Sequence, residues 1–150
     1  MTKNLNQKKC YMLDMDGTFY LGDKLLPGAL EFMDYLRENK IDYLFLTNNS
    51  SKHGSMYAEK IKKLGFDVDE AKIFTSGEAT TIYLKKKTIF RLIYLVGTPA
   101  LEEEFSSAGF QLTDHFPDAA VLGFATTLTY EKLWKLCDLV RHGLPYIATH

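Results

Sequence analysis

The sequence predicts an α/β fold built on parallel sheet, and three observations predict it. Short apolar runs of strand length alternate with helical patterns along the whole chain. The connections leave room for right-handed crossovers rather than hairpins. Polar residues suited to binding stand just past the strand ends, where ligands of open parallel sheets collect.

Each element can be justified in order. Residues 10–13 form a continuous apolar run ending in charge, which predicts a central parallel strand covered on both faces, with Asp14 at its carboxyl end. A hairpin is expected around Gly22-Asp23. Pro27 opens a helix carried by Leu30, Met33 and Leu36 to Asn39, followed by a strand over 41–46. A polar turn over 48–51 leads into a helix with Tyr57, Ile61 and Leu64 inside, stopped by Gly65. A strand over 72–75 and a helix over 78–86 follow. The rhythm restarts with a strand over 92–96, and Thr98-Pro99 supplies an N-cap and first-turn proline for a helix ended by Gly109. A strand over 119–123 precedes a helix over 130–142, whose Leu133, Leu136, Cys137 and Val140 recur at i, i+3, i+4 and i+7. Gly143 and Pro145 stop it before a last strand over 146–148.

Composition narrows the function classes. At 150 residues, with 46% hydrophobic and 25% charged residues, the chain can bury one core or two small ones. A net charge of −1, with basic clusters only at Lys8-Lys9 and Lys85-Lys86-Lys87, argues against nucleic acid. The polar start over 1–9 and the brevity of the following apolar run argue against a signal peptide, and no stretch is long enough to span a bilayer, so a cytoplasmic location is expected. Cys10 and Cys137 form no metal or redox motif and read as buried free thiols. Neither a P-loop nor a His-Glu-x-x-His motif occurs.

The chemistry is expected at two strand ends. A carboxylate at Asp14 can attack phosphorus and form an aspartyl phosphate, dividing one difficult displacement into two easier ones. A divalent cation bridging the Asp14 carboxylate and a phosphoryl oxygen would cancel the repulsion between the two anions, and a hard, oxygen-only ligand set favours Mg²⁺. Asp16 is spaced to protonate the leaving group and then to activate water. Gly17 permits a sharp turn whose N–H groups face phosphate, while Thr47 and Asn48 offer a hydroxyl and an amide to phosphoryl oxygens. Each motif alone is also ordinary loop chemistry. Their joint placement after successive strands is what favours a phosphate cradle. His53 reads as a solvated residue of a first helical turn, Glu102-Glu103-Glu104 as a solvated helix face, and Phe124 and Tyr130 as core; His115 and His142 read as surface.

Residues 11–20, Leu25-Leu26-Pro27-Gly28-Ala29, Phe45-Leu46-Thr47-Asn48-Asn49-Ser50-Ser51, Thr75-Ser76, Gly123, the run 128–133 and residues 146–149 together resemble the haloacid dehalogenase superfamily, in particular its p-nitrophenylphosphatase branch (NagD-like, subfamily IIA). The resemblance implies a Rossmann-like parallel-sheet core with an inserted α/β cap: residues 1–80 as the first half of the core, 81–150 as part of the cap, and the second half of the core absent from this chain. It implies that Asp14 is nucleophile and metal ligand, that Asp16 is acid/base with a carbonyl toward Mg²⁺, and that Thr47 and Asn48 bind the phosphoryl group. Its substrates would be small phosphorylated metabolites: sugar phosphates, nucleotides, pyridoxal phosphate or nitrophenyl phosphate. Assembly through the cap into a homo-oligomer is left open. The branch's lysine and later Gly-Asp metal motif do not occur, and Ala125-Thr126 replaces an acidic residue common in relatives. Two rival readings therefore stand beside hydrolysis: an incomplete module or pseudoenzyme that binds without turnover, and a phosphotransferase or mutase using the same aspartyl phosphate.

Overall fold

The computed structural model describes residues 8–150, so most of the polar start over 1–9 lies outside the described residues. The chain divides into two compact units, one of residues 1–47 and 54–74, the other of 48–53 and 75–150.

In the first unit, strand β1 (Cys10–Asp14) pairs in parallel with β4 (Asp42–Thr47), with Cys10 opposite Asp42 and Asp14 opposite Leu46. Strand β5 (Ile73–Thr75) lies on the far side of β4, so among the described residues β4 is central and β1 is an edge. The expected hairpin is present as β2 (Tyr20–Leu21) against β3 (Lys24–Leu25). Helix α1 (Ala29–Glu38) starts after Gly28 in a left-handed conformation and buries Ala29, Met33 and Leu36, an i, i+4, i+7 stripe. Helix α2 (Gly54–Lys63) buries Tyr57 and Ile61, and a 3₁₀ turn (Glu70–Lys72), capped by the Asp69 carboxylate, leads into β5. Phe45, Phe19 and Phe66 pack against one another in this core, Phe66 edge-on to the other two rings and those two tilted.

The second unit holds a four-stranded parallel sheet in the order β7 (Gln111–Leu112), β6 (Leu92–Val96), β8 (Ala119–Leu122), β9 (Tyr146–Ala148). One face carries a core of Leu84, Ile93, Leu95, Leu101, Phe105, Phe110, Ala119 and Val121, supplied in part by α3 (Ser76–Lys87) and α4 (Pro99–Ser107). The other face packs Tyr94, Val96 and Ala120 against Leu136 of α5 (Tyr130–Arg141). Thr75, Thr98 and Thr129 each cap the following helix through a side-chain oxygen, which accepts from the backbone N–H three residues on.

Four expectations are corrected. Strand β1 is not covered on both faces: its burial alternates and Met12 is 73% exposed, because an edge strand can be covered only by what packs on it, whatever its own residues are. Both cysteines are free but exposed, Cys10 at the start of that edge strand and Cys137 on the outer side of α5. The periodicity of α5 is right and its phase is wrong. The inward stripe is Lys132, Lys135, Leu136 and Leu139, one residue away from the all-apolar choice, with Leu133, Cys137 and Val140 outside. Lysine stems can line a sheet while their ammonium groups reach out, and the Lys135 Nζ meets Asp114 Oδ2 at 2.9 Å as it does so. Phe124 and Tyr130 are exposed rather than core, because both stand in or beside the loop past β8 and not on a strand.

Asp118 joins the start of β6 to the start of β8. Its Oδ2 accepts from the backbone N–H groups of Arg91 and Leu92 at 2.7 and 2.8 Å, and these bonds hold its pKa below the ordinary carboxylate value. A carboxyl whose pKa falls on folding stabilises the fold above its unfolded value of about 3.9 and loses that contribution as pH drops through the folded value. Asp118→Ala is therefore expected to cost about 1 kcal/mol at neutral pH and to flatten the acid side of the thermal-midpoint profile. Melting both proteins from pH 6 down to 2 would show it; parallel profiles would contradict it.

Candidate active site

The site begins with an alternation. Met15 is fully buried, and the residues on either side of it, Asp14 and Asp16, are both exposed. A side chain committed to the core thus anchors the point where β1 ends, and its two neighbours must face outward. The Met15 carbonyl accepts from the N–H groups of Thr18, Phe19 and Tyr20 at 3.3, 2.9 and 3.1 Å, closing the loop tightly on itself. Gly17 turns it with φ +83°, and nothing lies within 4 Å of where a Cβ would stand, so conformation rather than space calls for glycine there. Its N–H is donated to the Tyr20 carbonyl at 2.7 Å, so what Gly17 supplies is the turn and not an open donor.

Thr18 Oγ1 donates to Asp14 Oδ2 at 3.5 Å, which orients the carboxylate while leaving its other oxygen open. Beneath the loop, Tyr20 is almost fully buried with the Lys60 ammonium 4.0 Å over its ring. Burial first, then Tyr57 and the carboxylates of Asp16 and Asp14, push its hydroxyl to a higher pKa, so it stays protonated beside the acidic loop.

Asp14 and Thr47 are the last residues of adjacent parallel strands, so both emerge at the carboxyl edge of the first sheet. Asn48 is the next residue but is counted with the second unit, where it is exposed and its carbonyl accepts from Ser76 Oγ at 2.9 Å. The peptide bond to Thr47 is what ties it to the strand end. His53 departs from the expected solvated state, being partly buried with its Nε2 3.8 Å from Glu103. Glu104 is likewise partly buried, accepting from Thr75 Oγ1 at 3.2 Å, so the acidic run is not a wholly solvated face. His115 and His142 are exposed, at an open groove of about 510 Å³ by the amino ends of β8 and β9. Sequence reasoning passed over Ser50 and Thr149. Their hydroxyls lie 2.9 Å apart across 99 residues of sequence, and nothing in the spacing of either announces the pairing.

The carboxylates fit a hard divalent cation. Asp14 and Asp16 offer only oxygen, and among the described residues no group of three or more His, Cys, Asp or Glu is placed to hold a metal. One or two carboxylates with the remaining positions left to water and phosphate oxygens is the way Mg²⁺ is usually held.

A family model described as haloacid dehalogenase-like hydrolase matches residues 11–111, a span that includes Asp14, Asp16, Thr47 and Asn48. An acid sugar phosphatase of Staphylococcus epidermidis is 34% identical over 143 residues, covering 95% of this chain and 55% of that protein. The crystal structure of 4-nitrophenylphosphatase from Thermotoga maritima superposes with a TM-score of 0.91 at 46% identity, over 97% of this chain and 56% of that one. A glycerol phosphate phosphatase from Mycobacterium tuberculosis, solved in complex with magnesium, gives a TM-score of 0.89 at 27% identity over 99% and 46%. The chain spans about half the length of the relatives it matches.

Proposed function

Because the chain belongs to the haloacid dehalogenase-like hydrolases, we propose that the protein hydrolyses small phosphomonoesters through a phosphorylated Asp14. The observation that carries this reading is the pair of exposed carboxylates flanking buried Met15 at the end of β1, beside Thr47 at the end of the next parallel strand.

In the proposed reaction an Asp14 carboxylate oxygen attacks phosphorus and the ester oxygen leaves, taking a proton from the Asp16 carboxyl. Asp16, now a carboxylate, removes a proton from the water that attacks the phosphoaspartate. Inorganic phosphate leaves and Asp14 is restored. Thr47 and Asn48 would hold the phosphoryl oxygens, and Gly17 would shape the turn that keeps Asp16 beside the leaving group. Asp14 and the Asp16 carbonyl would hold Mg²⁺, which when bound supplies the charge neutralisation that brings two anions together. Residues 1–80 are read as the first half of the catalytic core and 81–150 as part of the inserted cap domain. The names of the relatives favour sugar phosphates, with nitrophenyl phosphate as a convenient surrogate.

The full-length protein is expected to release phosphate from nitrophenyl phosphate with Mg²⁺, to stop on chelation and to recover when Mg²⁺ is restored. Turnover that persists in excess chelator would overturn the metal assignment. Appearance of a transferred phosphoester in place of inorganic phosphate would replace hydrolysis by transfer. A module that binds without turnover remains the second reading, and it would replace hydrolysis if the full-length protein bound inorganic phosphate yet released none from any ester with Mg²⁺ present.

A further inference from the structure

We infer that Ser50 is a positioning residue for the loop that presents Asn48, and that it sets this loop by bonding to the ends of β8 and β9. The inference rests on the proposed phosphate-binding role of Asn48.

Ser50 is fully buried, which is unusual for a serine in a loop unless its hydroxyl is used. Its Oγ accepts from the Phe124 N–H at 2.8 Å and lies 2.9 Å from Thr149 Oγ1. The neighbouring backbone is held in the same manner. The Asn48 carbonyl accepts from Ser76 Oγ at 2.9 Å and the Ser51 carbonyl from Thr98 Oγ1 at 2.8 Å. Residues 76, 98, 124 and 149 stand within two positions of the ends of β5, β6, β8 and β9. Four strand ends of distant sequence thus each give one bond to a stretch of four residues, and all of these bonds lie inside the second unit.

Ser50 engages two strand ends through its side chain alone. A hydroxyl can donate once and accept twice, so one Oγ can take the Phe124 N–H and still share a proton with Thr149. The fit is close: a Cβ on Gly123 would stand 2.9 Å from Ser50 Oγ and would also strike Leu101. Backbone approaches hydroxyl there without room for a side chain. A group buried this way fixes the loop's position to within the tolerance of a hydrogen bond, and Asn48 is two residues away on the same stretch.

The test uses the full-length protein, nitrophenyl phosphate as substrate and inorganic phosphate as competitive inhibitor, with thermal midpoints recorded in parallel. Ser50→Ala is expected to raise KM and the phosphate inhibition constant together by roughly tenfold or more while kcat changes much less, as misplacement of a binding group should. Thr149→Val should give part of this effect, Thr149→Ser should restore it, and the double variant Ser50→Ala with Thr149→Val should be no worse than Ser50→Ala alone. If Ser50→Ala does not fold, the contrast between Thr149→Val and Thr149→Ser decides the matter. A lowered thermal midpoint with KM and the inhibition constant unchanged would reduce Ser50 to a packing residue and overturn the inference. Asn48→Ala separates the two levels. If it leaves phosphate affinity intact, the phosphate-binding reading of the loop has failed; if it weakens phosphate while Ser50→Ala does not, only the positioning role has.

Discussion

Asp14→Asn should lower phosphate release from any phosphomonoester by on the order of 10⁴-fold or more, with little change in stability. The amide keeps the size of the carboxylate and can still accept from Thr18, so the loop closed on the Met15 carbonyl has no reason to reorganise. What is lost is the proposed nucleophile and the one carboxylate proposed to hold the cation. The loss should appear in kcat for every ester alike, since in the proposed reaction Asp14 attacks phosphorus and does not meet the leaving group. Mass spectrometry on protein quenched during turnover should find an added phosphoryl group on the parent and none on the variant. Residual turnover within about tenfold of the parent would mean that another group attacks phosphorus.

Asp16→Asn is the second large effect, and its signature is selective. General acid help contributes typically about 10²–10⁴-fold, and it matters most for an alkoxide that leaves poorly. A sugar phosphate should therefore lose close to that full factor in its first step. Nitrophenolate leaves without a proton, so its release should survive while water attack on the phosphoaspartate becomes slow. The expected trace is a burst of nitrophenol equal to the enzyme present, followed by a slow phase, with phosphoenzyme accumulating during it. Equal losses for both esters and no burst would assign Asp16 a purely electrostatic or metal-binding role. The exposure of Asp16 and its place beyond a buried residue make this a test of chemistry rather than of folding.

How much of this could be read from the sequence varies from element to element, for physical reasons. The runs forming β6 and β8 predict strands of a parallel sheet, and they are parallel strands, buried on both faces. The run at 10–13 has the same look, yet Met12 is exposed, since a strand's own residues report that it can be covered and not that it is. In α5 the period was legible while the phase was not, because Lys132 and Lys135 can turn inward along their stems and no apolar count reveals it. The carboxylates of the candidate site stand out in the sequence as two acidic residues two positions apart at a predicted strand end, and both are exposed there. The bonds that hold the loop over 48–51 were not legible. They join Ser50 to partners 74 and 99 residues away, and single hydroxyls carry no periodicity that could announce such a pairing.

The division of the chain also bears on how the protein could be taken apart. The boundary between the two units is crossed at 47/48, again at 53/54 and a third time at 74/75. Neither unit is therefore a continuous stretch of peptide. A single proteolytic nick or gene split would leave at least one fragment holding pieces of both. The six residues 48–53 behave like an inset leaf, covalently part of one unit's strand-to-helix connection and folded as part of the other. Dissection of this molecule has to proceed by substitution within the intact chain, since no pair of scissor cuts isolates the loop's contacts from the strand that delivers it.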